Sequence, residues 1–284
     1  MVKTAEVARD FHGTKLYQER ARVVLPILVR QAEARQPVFY EALAQEVGMP
    51  NPRNLNYPLG CIGRTLNEIG EEWGSEVPPI EALVVNQATR LPGPGFDGFL
   101  TEKGESWDNN EERKALIEQY WAGIYSYPYW DDVLEELKLT RTADPARAII
   151  AKAGGGGGGE GPEHLALKLF VCANPQAVGL REIDPAGKAE HCLPSGDKID
   201  VIFDHSRRTH AVEVKPKSSP PSDLARGLFQ CVKYRAVLQA LARYEHDKRK
   251  ITVCLALGGS LPAELVPLRN SLNIDVFENL SSSG

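Results

Sequence analysis

Apolar residues recur at every second position through residues 199–203, a spacing typical of a β-strand. The alternation predicts one apolar face, made of Ile199, Val201 and Phe203. A second apolar segment covers residues 211–215, and residues 205–208 between the two segments suit a tight turn. The chain is therefore expected to form a β-hairpin here.

The hairpin brings acidic residues together. If the turn pairs Asp204 with Thr209, counting back along both strands places Asp200 opposite Glu213. Opposed residues have Cβ atoms about 4.5–5.5 Å apart, and like charges at that distance destabilise a hairpin unless a positive charge lies between them. A divalent cation bound by oxygen ligands meets this requirement, with Lys215 at its edge. The alternative is a solvated face on which Glu213 and Lys215 are ordinary surface charges.

Other segments place this hairpin in an α/β domain. Residues 162–170 predict a helix that opens with Glu163, and residues 224–244 predict an amphipathic helix with Gln230 and Tyr234 one turn apart. Three further elements follow: a buried strand over residues 250–257, a short helix over residues 262–272 and a last strand over residues 274–277.

The residues Asp200 and Glu213-Val214-Lys215 resemble the D…(D/E)-x-K signature of the PD-(D/E)XK nuclease superfamily. Gln230 and Tyr234 match the Q-x3-Y spacing of its RecB-type branch. The resemblance covers residues 162–284 and implies a restriction-endonuclease-like αβββαβ core.

The chain departs from this family before the first acid. It has Pro194-Ser195-Gly196-Asp197 in place of a Pro-Asp dipeptide, so Asp197 competes with Asp200 for the role of first carboxylate. Strand parity favours Asp200, provided that no bulge interrupts the strand.

What the resemblance implies is Mg²⁺-dependent hydrolysis of DNA phosphodiester bonds, with Mn²⁺ as a substitute metal. The implied metal ligands are Asp200, Glu213, Glu163 and the backbone carbonyl of Val214. Lys215 would orient the attacking water. Gln230 and Tyr234 would position a phosphate or the lysine. A role in restriction or defence against foreign DNA is an expectation from analogy. The alternatives are a DNA-binding regulator or assembly protein whose nuclease-like domain no longer cuts, and a nuclease that acts on RNA.

Individual residues also have structural explanations. Glu163 suits the first turn of any helix, where the helix dipole favours an acid. Gln230 and Tyr234 are each compatible with an ordinary helix surface. The spacing of His164, His205 and His210 matches no zinc pattern.

The N-terminal part predicts helices over residues 15–34, 38–48 and 58–70, the second closed by a glycine. This arrangement resembles a winged-helix domain, with a strand over residues 80–86 leading into a hairpin-like wing. The resemblance implies phosphate or base contacts by Arg53, Asn54, Asn56, Arg64 and Arg90, to which Lys217 and Lys233 add in the second domain. The alternative is a helical module that binds protein or braces the nuclease.

Residues 102–139 are acidic and rich in aromatic side chains. The spacing of Leu116, Tyr120 and Ile124 predicts a core helix, while a contact with a partner protein or an autoinhibitory cover is the alternative. The negative charge disfavours nucleic acid at this segment.

Composition and charge fit two domains joined by a linker. The 284 residues divide into residues 1–150, a glycine-rich linker over residues 151–161 and the nuclease-like residues 162–284. The first 150 residues carry 16 Lys and Arg against 23 Asp and Glu, a net charge of −7, and the remainder carries +2. The cations expected around the site are Arg207, Arg208, Lys215, Lys217, Arg226, Lys233, Arg235 and Arg243.

The sequence also predicts location and assembly. Five scattered cysteines without C-x-x-C spacing, and a start without a secretory signal, favour a soluble cytoplasmic protein with reduced thiols. Cutting both strands of DNA with one site per chain needs a homodimer or two encounters, and no membrane contact is expected.

Overall fold

The computed structural model describes residues 11–143, 145, 161–181 and 186–281. The chain divides into two compact units, Met1–Asp144 and Pro145–Gly284. The predicted linker lies outside the described residues, apart from Gly161. In the described parts of the chain, no helix is both long and apolar enough to cross a membrane.

The first unit is mainly helical. Its helices are α1 (Leu16–Glu33), α2 (Tyr40–Glu46), α3 (Asn56–Trp73), α4 (Gly95–Glu102), α5 (Asn110–Ser126) and α6 (Trp130–Glu136), with 3-10 turns at Pro52–Leu55 and Ile80–Leu83. Leu25 and Leu28 of α1 and Ile62 and Leu66 of α3 lie in one buried core. Gly48, whose φ of 65° is left-handed, follows α2 as the sequence predicts.

The predicted wing is wrong. Only Val84–Val85 (β2) are extended in this region, and they pair in parallel with Val38–Phe39 (β1) instead of forming a hairpin. Residues 82–85 are all buried, so the segment lacks the alternating exposure of a wing strand. Pro79 precedes it and has no N–H to donate to a ladder, and after residue 94 the chain continues as α4.

The aromatic segment contributes to the core of the first unit, as the helical spacing predicts. Ile124 on α5 is fully buried. The indole N–H of Trp121 donates to the carbonyl of Ala82 at 2.8 Å, and that of Trp130 donates to the carbonyl of Ile124 at 3.0 Å. A partner contact through residues 102–139 stays a prediction.

The second unit is a mixed α/β structure. Its elements are α7 (Pro162–Ala173), β3 (Lys188–Cys192), β4 (Lys198–His205), β5 (Arg208–Lys215), α8 (Pro221–Tyr244), β6 (Lys250–Leu257), α9 (Val266–Leu272) and β7 (Asp275–Phe277), with 3-10 turns at Pro175–Val178 and Ala263–Leu265. The five strands form one sheet in the order β3-β4-β5-β6-β7. Strands β3 to β5 are antiparallel, and β5 to β7 are parallel. The helices and strands follow the predicted order.

The hairpin has the predicted register. Asp204 pairs with Thr209, and the ladder continues to Val201 and Val212, so Asp200 and Glu213 come next on the two strands.

The predicted apolar face of β4 is wrong at one residue. Val201 and Phe203 pack in a core cluster with α7, but Ile199 joins Ile202 in the cluster that contains α8. The alternation therefore breaks at Asp200. The neighbouring strand is also distorted there, because Glu190, opposite Asp200, has a left-handed φ of 56°. Strand parity thus does not decide between Asp197 and Asp200.

The first unit buries a carboxyl group. Oε2 of Glu81 is buried and accepts no hydrogen bond from the described residues. Gly63 on α3 makes room for the group, because a Cβ at that position would lie 2.4 Å from Oε1 of Glu81. Burial raises the pKa of Glu81 from 4.5 to about 7, although its own backbone N–H offsets part of the effect.

Burial of the Glu81 carboxyl should make the first unit less stable as the pH rises. Because the folded-state pKa of Glu81 exceeds the unfolded value, folding favours the protonated form, and the unfolding free energy should fall by about 3 kcal/mol between about pH 4.5 and 8. Glu81→Gln should remove most of this loss, whereas Glu72→Gln, on the exposed surface of α3, should not. Tyr40, whose pKa is raised by burial, stays neutral in this range.

Tryptophan fluorescence during urea denaturation measures this effect in the full chain, since all four tryptophans, at positions 73, 107, 121 and 130, lie in the first unit. An unchanged pH dependence in Glu81→Gln would contradict the assignment.

Candidate active site

One cavity of about 1120 Å³ opens between α7, the ends of β4 and β5, and the start of α8. Five of the six residues predicted to be catalytic line it: Asp200, Glu213, Lys215, Glu163 and Gln230. The sixth, Tyr234, lies behind the wall and reaches Glu213.

A buried ion pair forms the floor of the cavity. Glu213 and Lys215 are 3% and 6% exposed, so the solvated-face alternative is wrong. Because alternate residues of β5 share a face, the Lys215 ammonium lies 3.0 Å from Oε1 of Glu213. It also lies 3.5 Å from Oδ1 of Asp223 on α8. Two carboxylates thus hold one ammonium in a site with little access to water.

Tyr234 holds the other oxygen of Glu213. Its hydroxyl lies 3.0 Å from Oε2 of Glu213 and 2.8 Å from the carbonyl of Lys198. The hydroxyl donates its one proton to only one of these acceptors at a time. Burial, followed by the charge of Asp200, raises the pKa of Glu213 to about 7 despite Lys215.

Gln230 completes this side of the site. It lies one turn before Tyr234 on α8, and its amide nitrogen donates to the Tyr234 hydroxyl at 3.4 Å. Its Oε1 is buried and accepts no hydrogen bond from the described residues. Tyr234 therefore contacts Glu213, and Gln230 contacts Tyr234; their positioning of a phosphate or of the lysine stays a prediction.

Asp200 fixes the backbone of Val214. Its Oδ2 accepts a hydrogen bond from the Val214 N–H at 2.8 Å, so a side-chain oxygen continues the ladder beyond Val201 and Val212. Asp197 instead accepts from Ser195 at 2.7 Å and pairs with Lys233 at 2.6 Å. Contact geometry, rather than strand parity, makes Asp200 the acid beside Val214.

His164 was missed by the sequence analysis as part of this site. Its Nε2 lies 3.3 Å from Oδ2 of Asp200 and 3.1 Å from the carbonyl oxygen of Val214. Because a carbonyl only accepts, Nε2 carries the proton in this arrangement. The only signal for it was its place beside Glu163 at the start of a helix. Glu163 itself lies on the cavity wall, where its Oε2 accepts from Ser218 at 2.6 Å.

The donor set fits a hard cation in part. Oδ2 of Asp200 and the carbonyl of Val214 converge on one point, which the N–H of His164 now fills. Burial and then the Asp200 charge raise the pKa of Glu213, and a cation between the two carboxylates would offset their repulsion. However, among the described residues no group of three or more His, Cys, Asp or Glu is arranged to hold a metal ion. Binding a metal therefore requires His164 to give up its hydrogen bonds.

The predicted contacts in the first unit lie mainly at the start of α3. Arg53, Asn54 and Asn56 are exposed, and Arg64 is half-buried. Arg90 is exposed, with its guanidinium 5.1 Å from the centre of the Phe39 ring.

Two of the eight cations predicted around the site, Lys215 and Arg226, line the cavity. Arg235 instead donates to backbone carbonyls at the end of α9, at 3.0 Å from Leu272 and from Asn273. Two lysines that the sequence analysis did not select, Lys168 and Lys198, line the cavity.

No protein-family model matches the chain, and neither the curated proteins nor the solved structures that were searched contain a match.

The buried pair should behave as a coupled unit. Lys215→Met should destabilise the protein by about 3 kcal/mol near pH 8, because it leaves the Glu213 carboxylate buried without its cation. The double variant with Glu213→Gln should recover most of this loss, since neither charge then stays buried alone. Urea denaturation followed by far-ultraviolet circular dichroism measures both effects. Additive losses in the double variant would show that the two side chains are not coupled.

Proposed function

We propose that the second unit is a metal-dependent nuclease that hydrolyses phosphodiester bonds of DNA. The observation that carries the proposal is the convergence of the Asp200 carboxylate and the Val214 carbonyl on one point beside the buried Glu213–Lys215 pair. Asp200, Glu213 and Lys215 line the cavity, so a substrate phosphate can approach them. The resemblance of the same residues to the PD-(D/E)XK signature supports this class of chemistry.

Asp200, Glu213 and the Val214 carbonyl would hold the cation, and His164 is placed to add a nitrogen ligand once its proton is lost. When bound, Mg²⁺ would lower the pKa of an attacking water and offset the negative charge of the scissile phosphate. Glu163 is a more distant contributor, since its carboxylate accepts from Ser218.

The surrounding side chains keep these donors in place. Lys215 supplies a compact ammonium that can orient the attacking water or bind a phosphate oxygen. Tyr234 fixes one oxygen of Glu213, and Gln230 supports Tyr234. Asp223 is a second acceptor for Lys215, which keeps the ammonium within the cavity wall.

A DNA-binding protein that no longer cuts is the second candidate. It is favoured by the state of Glu213, whose two oxygens contact Lys215 and Tyr234 and whose pKa is raised to about 7. In that case the exposed polar residues at the start of α3 would supply DNA binding, and the cavity would have no reaction to carry out.

Cleavage of supercoiled plasmid by the purified full chain in Mg²⁺ separates the two candidates. Asp200→Asn, Glu213→Gln and Lys215→Met should each reduce the cleavage rate at least about 100-fold, because each removes a charge at the reacting phosphate. Asp197→Asn is the matched control for Asp200 and should retain activity.

Cleavage that survives all three substitutions would disprove the assigned site. An absence of cleavage of duplex DNA, single-stranded DNA and RNA would favour the second candidate, and cleavage of RNA alone would change the substrate class.

A further inference from the structure

A second group of charges lies on the cavity wall beside the acidic site. Lys168 is on α7 one turn after His164, and it is 2% exposed. Its ammonium lies 3.1 Å from Oε1 of Glu190 on β3. The ammonium of Lys198 on β4 lies 3.2 Å from Oε2 of the same carboxylate. All three residues line the cavity that contains Asp200 and Glu213.

The sheet places this group next to Asp200. Ala189 pairs with Val201 and His191 with Ile199, so Glu190 lies opposite Asp200 on the neighbouring strand. Glu190 has a left-handed φ of 56°, a conformation that is strained for a non-glycine residue and persists only where its surroundings hold it. Here the two lysines hold its carboxylate.

The Glu190 carboxylate binds the ammonium groups of both lysines. Burial of the Lys168 ammonium is costly without an anion. The hydrogen bonds from Lys168 and Lys198 lower the pKa of Glu190, which therefore stays ionised. Its side chain is 46% exposed, so an incoming anion can replace it.

We propose that Lys168 and Lys198 form a binding subsite for a non-scissile phosphate of the nucleic-acid backbone, and that Glu190 is the counter-ion which this phosphate displaces. The inference rests on the proposed function, because it takes the substrate to be nucleic acid. A backbone that runs from this subsite to Asp200 would place a neighbouring phosphate at the Glu213–Lys215 pair. The subsite contacts phosphate alone and so would favour no base sequence.

Binding without cleavage tests the subsite. The full chain is titrated into a fluorescein-labelled duplex oligonucleotide in EDTA at several salt concentrations, and fluorescence anisotropy gives the affinity. Lys168→Met and Lys198→Met should each weaken binding about tenfold and reduce the slope of log affinity against log salt by about one. Glu190→Gln should strengthen binding, because it removes the competing carboxylate. Lys250→Met is the matched control, because it removes one positive charge from an exposed lysine at the start of β6. It should change the affinity little.

Weaker DNA binding in the two lysine variants together with tighter binding in Glu190→Gln distinguishes a phosphate subsite from a structural salt bridge. If Glu190→Gln binds no more tightly than wild type, or if the lysine variants match Lys250→Met, the inference is overturned. Lys198→Met is the variant least able to disturb folding, since that side chain is 62% exposed. If all the expected binding changes occur but the protein cleaves nothing in Mg²⁺, the subsite is supported and only the nuclease proposal fails.

Discussion

The hydrogen bond from the Val214 N–H to the Asp200 carboxylate is the contact on which the site depends. At 2.8 Å it ties the ends of β4 and β5 together after their backbone ladder has ended. The same contact orients the Val214 carbonyl, which accepts from His164, and so brings α7 to the hairpin. Because Glu213 and Lys215 flank Val214, fixing this one residue also fixes the buried ion pair. The site is therefore assembled around a short stretch of backbone.

Much of the second unit could be predicted from the sequence, for physical reasons. The period-two segments and the tight turn fix the register of the hairpin, and the register brings Asp200 to the level of Glu213. The helical face of α8 brings Tyr234 to the strand that carries Glu213. What alternation could not reveal is the break at Asp200, which lies opposite the left-handed Glu190 of the neighbouring strand. The roles of His164 and Lys168 could not be predicted either, because they depend on how α7 packs on the sheet. The predicted wing is wrong because residues 82–85 are buried throughout, whereas a wing strand has one exposed face.

The cavity combines two kinds of charge in separate places. Asp200 and Glu213 with Lys215 occupy the end of the central strands, whereas Lys168 and Lys198 lie toward β3 and share Glu190. A negatively charged backbone is repelled by the acids unless a cation lies between them, and it is attracted by the lysines. Because the acids and the lysines lie in separate places, a polyanion would bind across the cavity in one orientation. Under the proposed function, Lys168 and Lys198 would let a unit with little net charge bind phosphate, because binding needs positive charge only at the site.

The most direct test of this account is X-ray diffraction from crystals of the full chain grown with Mn²⁺, in which anomalous scattering locates the metal. The account predicts a peak bound by the Asp200 carboxylate, the Val214 carbonyl and Glu213, with the His164 ring turned or deprotonated to accommodate it. Crystals in which the His164 N–H still contacts Asp200 and Val214, and in which no peak lies between Asp200 and Glu213, would contradict it.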